Sequence, residues 1–192
     1  PAHPFRWPGS HAVSQALSDV ARRSWWRRRV RRSSEAVPTV TRTLRVGSFQ
    51  FAAGRDIDRN VAAIERGIAL ASRAGVRLLL TQECGLCGYP PVERDGVASL
   101  DQGAQRAAFE FVARLAQRHD LFVVVGMITA YGARSRNSIC LIGPDGTARQ
   151  TYHKRALWGW DVGTFEQGDA AGICDVDGIR VGLRICYEVR FP

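Results

Sequence analysis

The chain has 192 residues, 45% of them apolar, enough for one domain with a substantial core. Its formal net charge of +9 is unevenly placed: residues 1–43 hold nine arginines against Asp19 and Glu35, whereas residues 44–192 carry only +2. A domain-wide nucleic-acid footprint is not supported, and no apolar run approaches the roughly 20 residues that span a bilayer. Neither nucleic acid nor membrane is expected as a partner.

Residues 1–43 read as a basic Arg-rich extension. Trp25-Trp26-Arg27-Arg28-Arg29 and Arg31-Arg32-Ser33-Ser34 lack any periodic core pattern. The chain begins at Pro1 and its only methionine is Met127, so the start of translation is expected to be absent or elsewhere. Three readings stand open: a disordered basic tail, an Arg-rich targeting sequence, or sequence upstream of the real start. The disordered and upstream readings are preferred.

From residue 44 the pattern is regular. Leu44 to Phe51 reads as a buried strand. Asp56 or Asp58 caps a helix running to about Ala74, with Val61, Ile64, Ile68 and Ala71 on one face and Gly75 as its stop. Val76 to Thr81 is a second apolar strand, followed by a Gly/Pro-containing loop from Gly85 to Ser99. A second helix from Gln102 to His119 buries Phe109, Val112 and Leu115. Leu121 to Ile128 is a continuous apolar strand, as expected in a sheet covered on both faces. Ser138 to Ile142 and Thr147 to Tyr152 form a hairpin across Pro144-Asp145-Gly146. Residues 153–170 are loop-rich and aromatic. A last hairpin turns at Asp177-Gly178 into a strand from Arg180 to Cys186. This order predicts an α/β fold with mixed sheets.

The five cysteines, Cys84, Cys87, Cys140, Cys174 and Cys186, are odd in number and two lie in predicted strands. With no visible signal peptide, reduced thiols in a cytoplasm are expected. The lone Cys84-x-x-Cys87 is weak evidence for zinc or redox work; packing is the preferred reading, and no metal or cofactor is predicted.

Three residues fall at predicted strand ends, where active sites of layered α/β folds gather. They are Glu83, Lys154 and Cys186. Lys154 is the only lysine among 27 cationic residues, which suggests a position where a wide guanidinium cannot serve. Singly, each has a duller reading: a packed cysteine, a loop-capping carboxylate, a solvated charge. Together they make a coherent machine. A thiolate attacks a carbonyl or nitrile carbon, a carboxylate moves protons, and an ammonium stabilises the oxyanion and lowers the thiol pKa.

The ordered motifs resemble the nitrilase superfamily, the carbon–nitrogen hydrolases, over about Leu44 to Pro192. Gln82-Glu83 with Gly88-Tyr89-Pro90-Pro91 is similar to its catalytic-glutamate motif, and Tyr152-His153-Lys154-Arg155-Ala156-Leu157-Trp158 to its lysine motif. Arg184-Ile185-Cys186-Tyr187-Glu188-Val189-Arg190-Phe191-Pro192 resembles its nucleophile motif. Asn137-Ser138, Pro144-Asp145-Gly146 and Gly168-Asp169 fit further landmarks. The resemblance implies an α-β-β-α sandwich, incomplete here at the C-terminus, that often pairs with itself. It implies Cys186 as nucleophile, Glu83 as general base, Lys154 as oxyanion stabiliser and the Tyr187 N–H as a second donor. Gln82 stands where the family has proline. Asp161 aligns near a second family glutamate and is a candidate substrate-binding residue with Tyr187. Trp158, Trp160 and Tyr89 suggest an aromatic entrance.

The expectation is the N-terminal fragment, 44–192, of a cytoplasmic hydrolase. Its substrate is a small amide, carbamoyl compound or nitrile, cleaved through a thioacyl intermediate with release of ammonia or an amine. The fragment alone is expected to be inactive, and the full-length protein to be a homo-oligomer. A glutaminase-type module of an amide-transfer enzyme and a catalytically dead interaction domain are the alternatives.

Overall fold

A computed structural model describes residues 42–90 and 92–190, so most of the basic extension lies outside the described residues. Among the described residues, seven strands form two sheets. β1 (Val46–Phe49), β2 (Leu78–Thr81), β3 (Phe122–Tyr131), β4 (Arg134–Ile142) and β5 (Ala148–His153) lie side by side in chain order. β1, β2 and β3 are parallel; β4 and β5 continue antiparallel. β6 (Ile173–Val176) and β7 (Ile179–Gly182) form a separate hairpin. The fold is α/β with a mixed sheet, as expected.

Two helices cover one face. Asp56 caps α1 (Ile57–Arg73) by accepting from Arg59 N at 3.1 Å, and Asp101 caps α2 (Gln102–Arg118) by accepting from Ala104 N at 2.9 Å. Ile64, Ile68 and Ala71 of α1 and Val112 and Leu115 of α2 are buried against Leu79, Val123, Val125, Cys140 and Ile142. Val61 and Phe109 are only partly buried. The alternate strand residues Leu78, Val124, Ile139 and Leu141 face the other way, onto Val176, Leu183 and Ile185 of the hairpin layer. The described residues thus stack as helices, sheet and hairpin.

Several expected boundaries move: β1 is shorter than Leu44 to Phe51 and alternates exposed and half-buried residues rather than being buried, and β2 begins at Leu78 rather than Val76. β3 runs on to Tyr131 and pairs with a β4 that begins at Arg134, through a turn at Gly132 with φ +56°. The last strand ends at Gly182 rather than Cys186, because its pairing partner β6 begins opposite it at Ile173, and Cys186 itself has φ +51°, which an extended strand cannot hold.

Candidate active site

Glu83 and Lys154 leave the sheet at one edge. β5 is antiparallel to β4, which is antiparallel to β3, so β5 runs with β3 and β2. Glu83 follows β2 and Lys154 follows β5. Cys186 arrives from the other sheet, opening a 3-10 turn (Cys186–Arg190) beyond β7. The positive φ at a cysteine costs on the order of 1–3 kcal/mol and re-aims its side chain out of the strand path.

The segment that carries Glu83 is pinned from below. Leu86 N donates to Gly126 O at 2.9 Å, and Asn60 Nδ2 donates to Leu86 O at 3.1 Å. A Cβ on Gly126 would collide with Gln82 O and with Cys84 N, so glycine allows β3 to run against the backbone that carries Glu83. Gln82 donates from Nε2 to Phe51 O at 2.7 Å, while its Oε1 is buried without a hydrogen-bond partner.

Lys154 is the centre of the cluster. Its Nζ lies 2.6 Å from Glu83 Oε1 and 2.7 Å from Asp161 Oδ2. Asn137 Nδ2 also donates to Glu83 Oε1, at 2.6 Å. Asp161, at the start of the short helix α3 (Asp161–Thr164), accepts from Tyr89 OH at 2.8 Å and Trp158 N at 3.4 Å. Burial pulls the ammonium pKa down, but the hydrogen bonds and charges of Asp161 and Glu83 outweigh it and hold it above its ordinary value. Lys154 is therefore cationic throughout the neutral range.

The two carboxylates face different surroundings. Glu83 is 18% exposed and Asp161 1%. Glu83 opens into a cavity of about 470 Å³, also lined by Gln82, Tyr89, Arg184 and Cys186. Asp161 is absent from that lining and spends both oxygens on Lys154, Tyr89 and Trp158. In this arrangement it is a buried partner of the lysine.

The thiol differs from expectation in direction. Burial pushes the Cys186 pKa up, and the charge and hydrogen bond of Glu83 push it further. Lys154 and the Tyr187 N–H pull it down but do not compensate. The resting sulfur thus keeps its proton beside a carboxylate able to accept it. The Tyr187 amide acts on the sulfur, while its ring stacks on Trp158 with centroids 5.6 Å apart. Of the predicted aromatic entrance, Tyr89 lines the cavity; Trp158 and Trp160, 63% and 67% exposed, do not.

Residues 45–192 match the family model for carbon-nitrogen hydrolases, well over half of the chain. The chain belongs to the carbon-nitrogen hydrolase family. A hydrolase of Mycobacterium tuberculosis is 29% identical over 157 residues, covering 78% of this chain and 54% of the relative. An (R)-stereoselective amidase of a Pseudomonas species is 31% identical over 141 residues, covering 73% and 50%. An amidase from Nesterenkonia sp. AN1 superposes with a TM-score of 0.70 at 25% identity, covering 78% of this chain and 59% of that one. The chain spans about half the length of the curated relatives it matches. The resemblance drawn from the motifs is therefore borne out at the level of family and fold.

Two residues of this carbon-nitrogen hydrolase chain had no role in the sequence reading. Asn137 is fully buried yet polar and donates to Glu83, but it lies between Arg136 and Ser138 in the polar half of β4, so no apolar pattern marked it. Glu188 is buried with four hydrogen bonds, and only its place in the cysteine motif hinted at it. Cys84 and Cys87 lie in an apolar cluster with Leu100, Ile128 and Phe165. No group of three or more His, Cys, Asp or Glu side chains suited to a metal ion occurs among the described residues. Among them, too, no helix is long and apolar enough to cross a membrane.

Proposed function

We propose that the complete protein hydrolyses a small linear amide, with Cys186 as nucleophile, Glu83 as proton carrier and Lys154 as oxyanion stabiliser. The observation that carries this reading is the Glu83 carboxylate, held by Lys154 at 2.6 Å and acting on the Cys186 thiol in one cavity. The substrate carbonyl enters that cavity. Glu83 takes the thiol proton as sulfur bonds to the carbonyl carbon. The ammonium has three N–H donors; two serve Glu83 and Asp161, and the third meets the developing oxyanion. The Tyr187 N–H is a second donor. When the carbon–nitrogen bond breaks, Glu83 returns its proton to the departing nitrogen. Water then attacks the thioester, Glu83 takes a proton from it, and the sulfur leaves and is reprotonated. A carboxylic acid and ammonia or an amine are released. Asp161 keeps Lys154 charged and aimed.

The amidase names of the relatives favour amides over nitriles as substrates. The test is ammonia release from a panel of short aliphatic amides by the complete protein and by Cys186→Ala. The wild type should turn over at least one amide and Cys186→Ala none, with unchanged circular dichroism. Turnover retained by folded Cys186→Ala would sink the reading.

A further inference from the structure

We propose that Glu188 is a positioning residue that holds the nucleophile turn and the lysine loop in one register. The inference rests on the reading of Cys186 and Lys154 as reacting groups. Glu188 is 3% exposed, and its two carboxylate oxygens are divided between two segments.

Oε2 accepts from Ile185 N at 2.8 Å, while Glu188 N donates to Ile185 O at 3.2 Å. This reciprocal pair closes the turn that contains Cys186 and holds it at φ +51°. Oε1 accepts from Arg155 N at 2.7 Å, Ala156 N at 3.0 Å and Tyr152 OH at 2.7 Å. Arg155 and Ala156 directly follow Lys154. One carboxylate therefore ties the residue before the nucleophile to the residues after the ammonium.

The tie matters because the two groups come from different sheets. Lys154 leaves the five-stranded sheet and Cys186 leaves the β6–β7 hairpin, and no strand pairing joins those sheets. Besides apolar packing, Arg77 ahead of β2 pairs with Asp177 in the β6–β7 turn, Nε to Oδ2 at 2.5 Å, which ties the layers at the hairpin turn and leaves the opposite end, where Lys154 and Cys186 emerge, to be held separately. Four hydrogen bonds converging on one charged group are directional and roughly twice as strong as neutral ones. Glutamate is also chemically required. All four partners are donors, and only an ionised carboxylate accepts on both sides without a donor of its own. A glutamine would set its NH2 against Ile185 N–H in one orientation, or against three donors in the other.

Glu188→Gln in the complete protein tests this. Positioning predicts a kcat loss of about 10- to 100-fold, because sub-ångström misplacement of reacting groups costs that much. KM should stay within about twofold, since no substrate contact is removed. The pH midpoint of Cys186 alkylation by iodoacetamide should move toward that of a free cysteine, as the sulfur leaves Glu83 and Lys154. Val112→Ala, a buried α2 substitution away from the site, is the control for mere destabilisation. It should lower the melting temperature and leave kcat and the alkylation midpoint unchanged.

If Glu188→Gln does not fold, Glu188→Asp takes its place with the same readouts. It keeps the charge but is one methylene too short to span both segments. A folded variant with kcat within about threefold of wild type, or with an unmoved alkylation midpoint, overturns the inference. So does Val112→Ala if it moves that midpoint as far as the Glu188 variant. Should Cys186→Ala be dead while Glu188→Gln retains kcat, the proposed chemistry stands and the positioning role alone fails.

Discussion

Replacing Lys154 by arginine keeps the charge and changes only its shape, which makes it the sharpest probe of the site. The side chain is 3% exposed, and its Nζ is 2.6 Å from Glu83 and 2.7 Å from Asp161. A longer, forked head would have to displace Glu83 or Asp161 from these short contacts. Overpacking of this kind costs about 1–3 kcal/mol of stability. Losing one oxyanion donor costs about 2.7–4 kcal/mol of transition-state stabilisation, or roughly 100- to 1000-fold in kcat. Lys154→Met removes the cation as well and leaves Glu83 and Asp161 as neighbouring carboxylates with no counter-ion. Removing one partner of a buried pair costs about 3–5 kcal/mol. The expected pattern is that both variants lose activity alike while Lys154→Met melts at the lower temperature. Ammonia-release kinetics and thermal unfolding of the complete protein measure it. A Lys154→Arg enzyme with wild-type kcat would show that charge alone suffices and that the geometric argument is wrong.

Two further predictions concern protons. Glu83→Gln removes the carboxylate that raises the Cys186 pKa and leaves Lys154 unopposed, so iodoacetamide should alkylate Cys186 faster at neutral pH while amide turnover disappears. Equal or slower alkylation would mean that Glu83 does not govern the thiol. Stability should fall as pH rises from about 10 to about 12. Burial and Glu188 raise the Tyr152 pKa from 10.0 to about 12, and Lys154 is held above 10.5, so the folded state binds these protons more tightly than the unfolded one. A raised pKa contributes stability that is complete below the unfolded value and lost as pH climbs through the folded one, here on the order of 2 kcal/mol for Tyr152. Urea titrations across that window report it, and Tyr152→Phe should flatten part of the fall.

The positions of Glu83, Lys154 and Cys186 were legible because each ends a recognisable run and sits in a motif whose order is specific. The cap Asp56, offered together with Asp58, and the Asp177-Gly178 turn were legible from local chemistry, whereas the cap Asp101 was not named. The β3–β4 hairpin was not legible. Beyond Ile128 the two strands leave the core, and Arg134-Ser135-Arg136 looks like loop in a sequence although its backbone stays paired. Helix α3 spans only Asp161–Thr164, too short for any periodicity, so Asp161's partnership with Lys154 could be suggested only by alignment. The direction of the thiol shift could not be read either. Lysine and glutamate pull it opposite ways, and the winner depends on burial and proximity that no spacing encodes.

That direction bears on how the site works. A preformed thiolate would place a third negative charge beside Glu83 and Asp161, with one ammonium to balance all three. Burial and Glu83 raise the thiol pKa and so favour the neutral thiol, which leaves Glu83 and Asp161 to share the one ammonium. On the proposed chemistry, attack neutralises Glu83 and creates the oxyanion in the same step. Negative charge leaves one neighbour of Lys154 and appears at another, so the number of charges around the ammonium never changes. A cation already fixed by Asp161 needs no reorganisation to follow that transfer, which is the condition under which electrostatic stabilisation is most effective. This also accounts for a lysine in a chain that otherwise uses arginine. A compact ammonium can donate to Asp161, to Glu83 and to a substrate oxygen in three directions at once, whereas a planar guanidinium directs its donors into a single plane.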